Sequence, residues 1–194
     1  DNNFVEKGLL NEYDGIKIDN ENLNQFFIKN KERIYRNNIT GEADAFIIEN
    51  NKKIVIDIKC SWNARTFMNA DLSNLYEWQL RCYMFLYDVE EAWLCYALTD
   101  TPEHLVNNEK KKIWYRYFNE SMTMEQQLEM EEKIQPMYEQ IERNMVYSNN
   151  PSYKPEEMIK IFKIYRDKDL EQKMLSKIPQ AIEYYKSLSL NGIN

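Results

Sequence analysis

Apolar and polar residues alternate most sharply between Ile39 and Cys60, where two arms rich in β-branched residues flank Asn50-Asn51. Such arms around a residue pair that accepts positive φ predict a β-hairpin. A two-residue turn makes Glu49 face Lys52, Asp44 face Asp57, and Glu42 face Lys59. Alternation then points Ile54, Ile56 and Ile58 into a core and puts Asp57 and Lys59 on the other face with Asp44.

Elsewhere the pattern is mostly helical. Residues 4–18 read as a helix with Phe4, Leu9 and Leu10 apolar and Glu12 within reach of its inner face. Residues 24–38, with Phe26, Phe27 and Ile28 and then Arg33 to Arg36, read as a first strand, and Asn37-Asn38 supplies a turn. A loop is expected over 61–67. A long helix follows over 71–87, where Leu72, Leu75, Tyr76, Gln79, Leu80 and Tyr83 recur at three and four. Residues 92–98 are apolar on both faces, as a central strand is.

Further on, Thr123-Met-Glu-Gln126 is a capping-box pattern opening a helix through Met124, Leu128, Ile134, Met137, Ile141 and Met145, with Pro136 as a candidate kink. Residues 158–165 alternate like a strand. Asp167 caps a last helix running through Leu170, Met174, Ile178, Ile182 and Tyr185 and interrupted at Pro179.

The facing carboxylates change the picture. Like charges opposite one another in a ladder are destabilising unless a cation sits between them, and a divalent metal is the natural candidate. Gln79, on an inward stripe among aromatics, needs a polar partner. The net charge of −7 over 194 residues argues against a protein that coats DNA non-specifically, because phosphate contacts demand Lys and Arg. It leaves room for a local basic strip at Lys52, Lys53, Lys59 and Arg65, and a second at Lys110 to Lys112. No apolar run reaches the ~20 residues of a membrane span, and the Asp-Asn-Asn-Phe start lacks a leader pattern, so an intracellular protein is expected. Cys60, Cys82 and Cys95 suggest neither a disulfide framework nor a Cys-x-x-Cys site. His104 is the only histidine and sits in a polar turn as a helix-start residue, which leaves His-based acid–base chemistry without support.

Taken in order, Gly41-x-x-Asp44, Asp57-x-Lys59 and Gln79-x-x-x-Tyr83 resemble the motifs of the PD-(D/E)xK nucleases, and within them the phage lambda exonuclease, YqaJ and RecB-like group. Lys7-Gly8-Leu-Leu-Asn-Glu12 resembles the Gly-x-x-x-Glu of that group's first helix. The motifs span residues 7–83.

The resemblance implies an α/β (α+β) fold with a restriction-endonuclease-like αβββαβ core and a mixed central sheet. The length of 194 residues and the 43% hydrophobic content indicate one domain over 1–194, with the core about 4–100 and helical and strand additions about 101–194. The resemblance implies that Asp44, Asp57, Glu12 and the carbonyl of Ile58 hold one or two Mg²⁺ ions, Mn²⁺ substituting. Lys59 would act on the attacking water, and Gln79 would hold the active-site geometry or the DNA backbone. Arg65, Lys52, Lys53 and Tyr83 would meet DNA, although Arg65 reads equally well as a surface residue paired with an acid. Asp57 stands where many relatives carry Glu, one methylene longer.

The implied activity is an exonuclease on linear double-stranded DNA in phage or prophage recombination. It would act in the cytoplasm of a bacterial host, beside a single-strand annealing protein, as a homo-oligomeric, trimeric ring. The cysteine spacing argues against the iron–sulfur members. The alternative is a non-catalytic member that binds nucleic acid or protein.

Overall fold

A computed structural model describes residues 3–23, 27–148 and 150–190. Two Asn-Asn pairs punctuate the strands. Asn37 and Asn38 lie at φ 51° and 61°, and Asn50 and Asn51 at 50° and 60°. Both central residues of a type I′ turn need positive φ, and Asn tolerates it at little cost. The first pair joins β2 (Ile34–Arg36) to β3 (Ile39–Gly41). The second joins β4 (Ala45–Glu49) to β5 (Lys52–Cys60), in the expected register from Glu49↔Lys52 to Ala45↔Ile56.

The arm from Ile39 to Glu49 is not one strand, as alternation alone suggested. β3 pairs with β2 in a two-stranded sheet of its own, and irregular backbone over 42–44 separates it from β4. Nor is 24–38 one strand: β1 (Ile28–Lys29) pairs with β4, while β2 turns away to β3. Phe26 and the start of that expected strand lie outside the described residues.

The larger sheet runs β1-β4-β5-β6-β7, with β6 at Glu91–Ala97 and β7 at Ile159–Tyr165. β1, β4 and β5 are antiparallel neighbours. Ser61 N donates to Ala97 O where β5 and β6 both end, so those two run parallel. Leu98 N bonds Met158 O and Arg166 N bonds Glu90 O, so β6 and β7 are antiparallel. The sheet is therefore mixed, in an α+β fold. Mid-strand β5 is buried on both faces, Ile54 to Ile58 alike, so burial does not distinguish its two sides.

Helices fill the rest. α1 is Asn3–Leu23. The stretch expected as a loop contains α2 (Ala64–Met68), because Asn63 and Thr66 cap one another's backbone N–H in a capping box. α3 (Asn74–Tyr87) starts at Ser73 and ends at Asp88, which adopts the left-handed conformation. α4 (Glu103–Tyr117) went unread in the sequence beyond His104 as a helix start, because its polar run hides its period. α5 (Met124–Met145) opens with the expected Thr123/Gln126 box and continues through Pro136. α6 (Lys168–Leu190) is capped by Asp167 as expected, but it runs through Pro179 without interruption.

The chain divides into two compact units. One comprises residues 1–27, 58–71 and 95–161, and the other 28–57, 72–94 and 162–194. In the first, the buried positions described on α1 include two polar residues. Lys7 and Asn11 are buried beside Gly15 and Ile16, whereas Phe4, Leu9 and Leu10, which carried the helix signal, are 54%, 74% and 54% exposed. Lys7 Nζ donates to Trp62 O (3.1 Å), Thr99 O (2.9 Å) and Thr101 Oγ1 (2.8 Å). Asn11 Nδ2 donates to Thr99 Oγ1 and Asp100 O. A Cβ on Gly15 would meet Ile58 Cγ2 at 3.0 Å, so glycine lets this helix lie close on the ends of β5 and β6. Burial pulls the Lys7 pKa down to about 8, with Cys60 and Asp100 opposing the shift.

Candidate active site

The second unit holds the two aspartates and the glutamine that the sequence singled out. Asp57, on β5, is 1% exposed. Gln79 Nε2, on α3, donates to Asp57 Oδ1 at 3.0 Å and to Tyr83 OH at 2.9 Å. The inward Gln thus finds its partner in the predicted catalytic carboxylate, with Tyr83 one helical turn on fixing the amide. Tyr83, expected to meet DNA, is buried, its hydroxyl accepting from Gln79. Leu75, placed by periodicity on the same stripe, is 76% exposed at the first turn of α3.

The glycine of Gly41-x-x-Asp44 has a packing reason. A Cβ there would lie 2.9 Å from both Tyr83 Cε1 and Leu86 Cδ1, so only glycine lets β3 approach α3 this closely. Asp44 follows in the irregular backbone just before β4, half-buried. The hairpin ladder ends at Ala45↔Ile56; continued by one position, its register sets Asp44 opposite Asp57. Glu42, expected to face Lys59, pairs with Arg33 at 3.4 Å.

Two residues that sequence reasoning missed hold the Asp44 segment. Asn30 is 5% exposed and continues the β1–β4 register, its N–H donating to Asp44 O at 3.0 Å. Its Nδ2 donates to Ala43 O (2.8 Å) and Tyr87 OH (2.8 Å) and lies 3.0 Å from Glu32 O. Tyr87 OH accepts from Ala43 N at 3.2 Å and donates to Glu32 O at 2.7 Å. A lone Asn after a short apolar run carries no periodic signal, and only the fold gives it a role.

The remaining expected site residues fall as follows. Ile58 and Lys59 are the next positions of β5, and Glu12 is half-buried on α1; all three belong to the first unit. Arg65 is exposed on α2 and makes no ion pair among the described residues. Lys52 is exposed at the hairpin tip, and the Lys53 ammonium lies over the Phe46 and Tyr87 rings at 4.3 and 5.0 Å.

No protein-family model matches the chain, and no curated protein matches it. The fold has a solved counterpart. A phage-related exonuclease from Haemophilus somnus 129PT superposes with a TM-score of 0.69 at 22% identity, over 98% of this chain and 74% of that one. At that identity the likeness establishes a shared fold and leaves the chemistry to the residues. The structure of SSO0001, at a TM-score of 0.32 and 27% identity over 47% of this chain and 45% of that one, carries no weight.

Among the described residues no group of three or more His, Cys, Asp or Glu is placed to hold a metal, and no helix is long and apolar enough to cross a membrane. Mg²⁺ keeps several of its waters and takes only one or two protein carboxylates, which a buried Asp57 and a neighbouring Asp44 can supply. Three clustered acids are not required for that.

Proposed function

We propose that the chain is a metal-dependent deoxyribonuclease, an exonuclease on linear duplex DNA. The observation that carries this reading is the 3.0 Å contact from Gln79 to the buried Asp57 carboxylate, on the strand that continues to Lys59. A carboxylate so buried, held by an amide and followed two residues later by a lysine, is an expensive arrangement unless its charge is used.

In this reading Asp44 and Asp57, with Glu12 and the Ile58 carbonyl, hold Mg²⁺, and Mn²⁺ substitutes. When bound, the ion lowers the pKa of a water and polarises the scissile phosphate. Gln79 fixes the rotamer of the Asp57 carboxylate, and Tyr83 fixes Gln79. Lys59 takes up the water's proton or steadies the charge that develops on phosphate oxygens. Arg65 and Lys52 are the phosphate contacts; Lys53 reaches the backbone only by leaving its two rings. The same reading assigns the enzyme to the cytoplasm of a bacterial host, to phage recombination beside an annealing protein, and to a trimeric ring that would keep an acidic protein on its DNA.

End-labelled linear and closed circular duplexes, incubated with Mg²⁺ or with EDTA, test the activity. Loss of linear DNA alone, and only with the metal, is expected. DNA that is bound and never cut would transfer the reading to a non-catalytic nucleic-acid binder. Lys59→Ala should lose roughly 10²-fold or more in single-turnover cleavage. A Lys59→Ala protein that cuts at the wild-type rate overturns the mechanism.

A further inference from the structure

We propose that Asn30 and Tyr87 are positioning residues for the Asp44 carboxylate. The inference rests on the metal-site reading above and adds to it the device that aims one of its ligands. Asp44 precedes the first residue of β4, so the β4–β5 ladder does not set its backbone. Instead, the carbonyl of Asp44 accepts from Asn30 N, and both backbone groups of Ala43 are engaged, its carbonyl by Asn30 Nδ2 and its N–H by Tyr87 OH. Asn30 and Tyr87 bond each other, and both reach Glu32 O, so the two side chains form one closed set of bonds around the two peptides that lead into Asp44.

The wiring is economical. Tyr87 OH donates once and accepts twice, which is the full capacity of a hydroxyl, and Asn30 uses both its amide hydrogens and its carbonyl, which accepts from Glu32 N at 3.3 Å. A fully satisfied polar network of this kind rigidifies what it holds. Its two anchors come from different elements, Asn30 after β1 and Tyr87 from the last turn of α3. The same helix carries Gln79, which holds Asp57. One helix therefore reaches both aspartates, Asp57 directly and Asp44 through the backbone.

Outer-shell partners that orient metal ligands typically change metal affinity 10–100-fold when removed. Tyr87→Phe takes away one oxygen and keeps the ring, and Asn30→Ala takes away the amide. Mn²⁺ titrated calorimetrically into wild type, Tyr87→Phe, Asn30→Ala, Asp44→Asn and the double variant Tyr87→Phe/Asp44→Asn, with melting temperatures alongside, separates the possibilities. We expect the Mn²⁺ Kd to rise about tenfold in each of the two positioning variants. The Tyr87→Phe change should add nothing once Asp44 is already Asn, because both act through the same ligand. A Kd unchanged in both positioning variants while Asp44→Asn weakens binding overturns the proposal, since the network then supports the fold alone. Equal Mn²⁺ binding by Asp44→Asn and wild type removes the metal-site reading itself, and this inference with it. Should Asn30→Ala fail to fold, Tyr87→Phe decides alone.

Discussion

The β4–β5 hairpin and helix α1 are seated by opposite kinds of contact. The hairpin is held by a ladder in register, a turn whose residues match its φ angles, and apolar side chains such as Val55 and Ile56 that are essentially fully buried. α1 turns Leu9 and Leu10 to solvent and buries an ammonium and an amide, which end on oxygens of the Trp62 and Thr99–Thr101 segments. The first kind of attachment is non-directional and scales with area. The second depends on a few bonds in a dry place, where losing one partner strands the others. An element of either kind can be equally firm; they fail differently.

The largest effect should come from the hairpin core. Ile56→Ala is expected to cost about 2–5 kcal/mol, because the surrounding sheet cannot collapse fully into the space left. Chemical denaturation of the purified variant measures it, and a loss under 1 kcal/mol would mean the strand is less tightly packed than its burial indicates. Close behind is Lys7→Met, which keeps the length of the stem and strands three oxygens, at a cost of about 2–4 kcal/mol. If Met proves neutral or stabilising at that site, the ammonium is a burden carried for another reason.

A pH series sharpens the contrast. The folded Lys7 pKa, about 8, lies below its ordinary value of 10.5, so between those values the unfolded chain binds more protons than the folded one. Stability contributed by this group should therefore rise as pH climbs from about 8 toward 10.5, by no more than about 1.4 kcal/mol per pH unit. Burial raises the Cys82 pKa above its ordinary 9.0 and the Tyr147 pKa above its ordinary 10.0, which work the other way above those values, so the clean window is pH 8–9. The difference in Tm between wild type and Lys7→Met should shift in favour of wild type across it; a constant difference excludes Lys7 as the titrating group.

Smaller effects test the ends of the comparison. Asn50→Ala keeps the positive φ but removes the short polar side chain that makes Asn tolerant of it, and should cost about 1–2 kcal/mol. Leu9→Gln, at a side chain 74% exposed, should fall within about 0.5 kcal/mol of wild type. A core-sized loss there would restore the inward leucine face.

What could be read along the chain divides on the same line. The hairpin register, both Asn-Asn turns, the Thr123 and Asp167 caps and the apolar strand at 92–98 all announce themselves through periodicity or turn chemistry, which act over neighbours. Gln79 was legible as an inward amide in need of a partner, and the partner is Asp57. The inner face of α1 was not legible, because periodicity counts Leu as inward and Lys as outward, and here long-range bonds reverse both. Asn30 and Tyr87 were invisible for a related reason: their importance lies in backbone groups that no side-chain pattern encodes. The break between β3 and β4 was not legible either, and beside it Gly41 lies against Tyr83 and Leu86 of a helix more than forty residues away.

The Lys7 anchor also orders events in time. Its partners at Thr99 and Thr101 are 92 and 94 residues further along the chain. At a synthesis rate of about 5–20 residues per second, those oxygens follow Lys7 out of the ribosome by roughly 5–20 s. Through that interval the buried positions described on the helix are Lys7, Asn11, Gly15 and Ile16, which give it little apolar surface with which to dock early. This helix is thus made well before the segments that seat it. Its seat is complete only when β5 and β6 have delivered Trp62 and the Thr99–Thr101 segment, whose oxygens replace water around the ammonium.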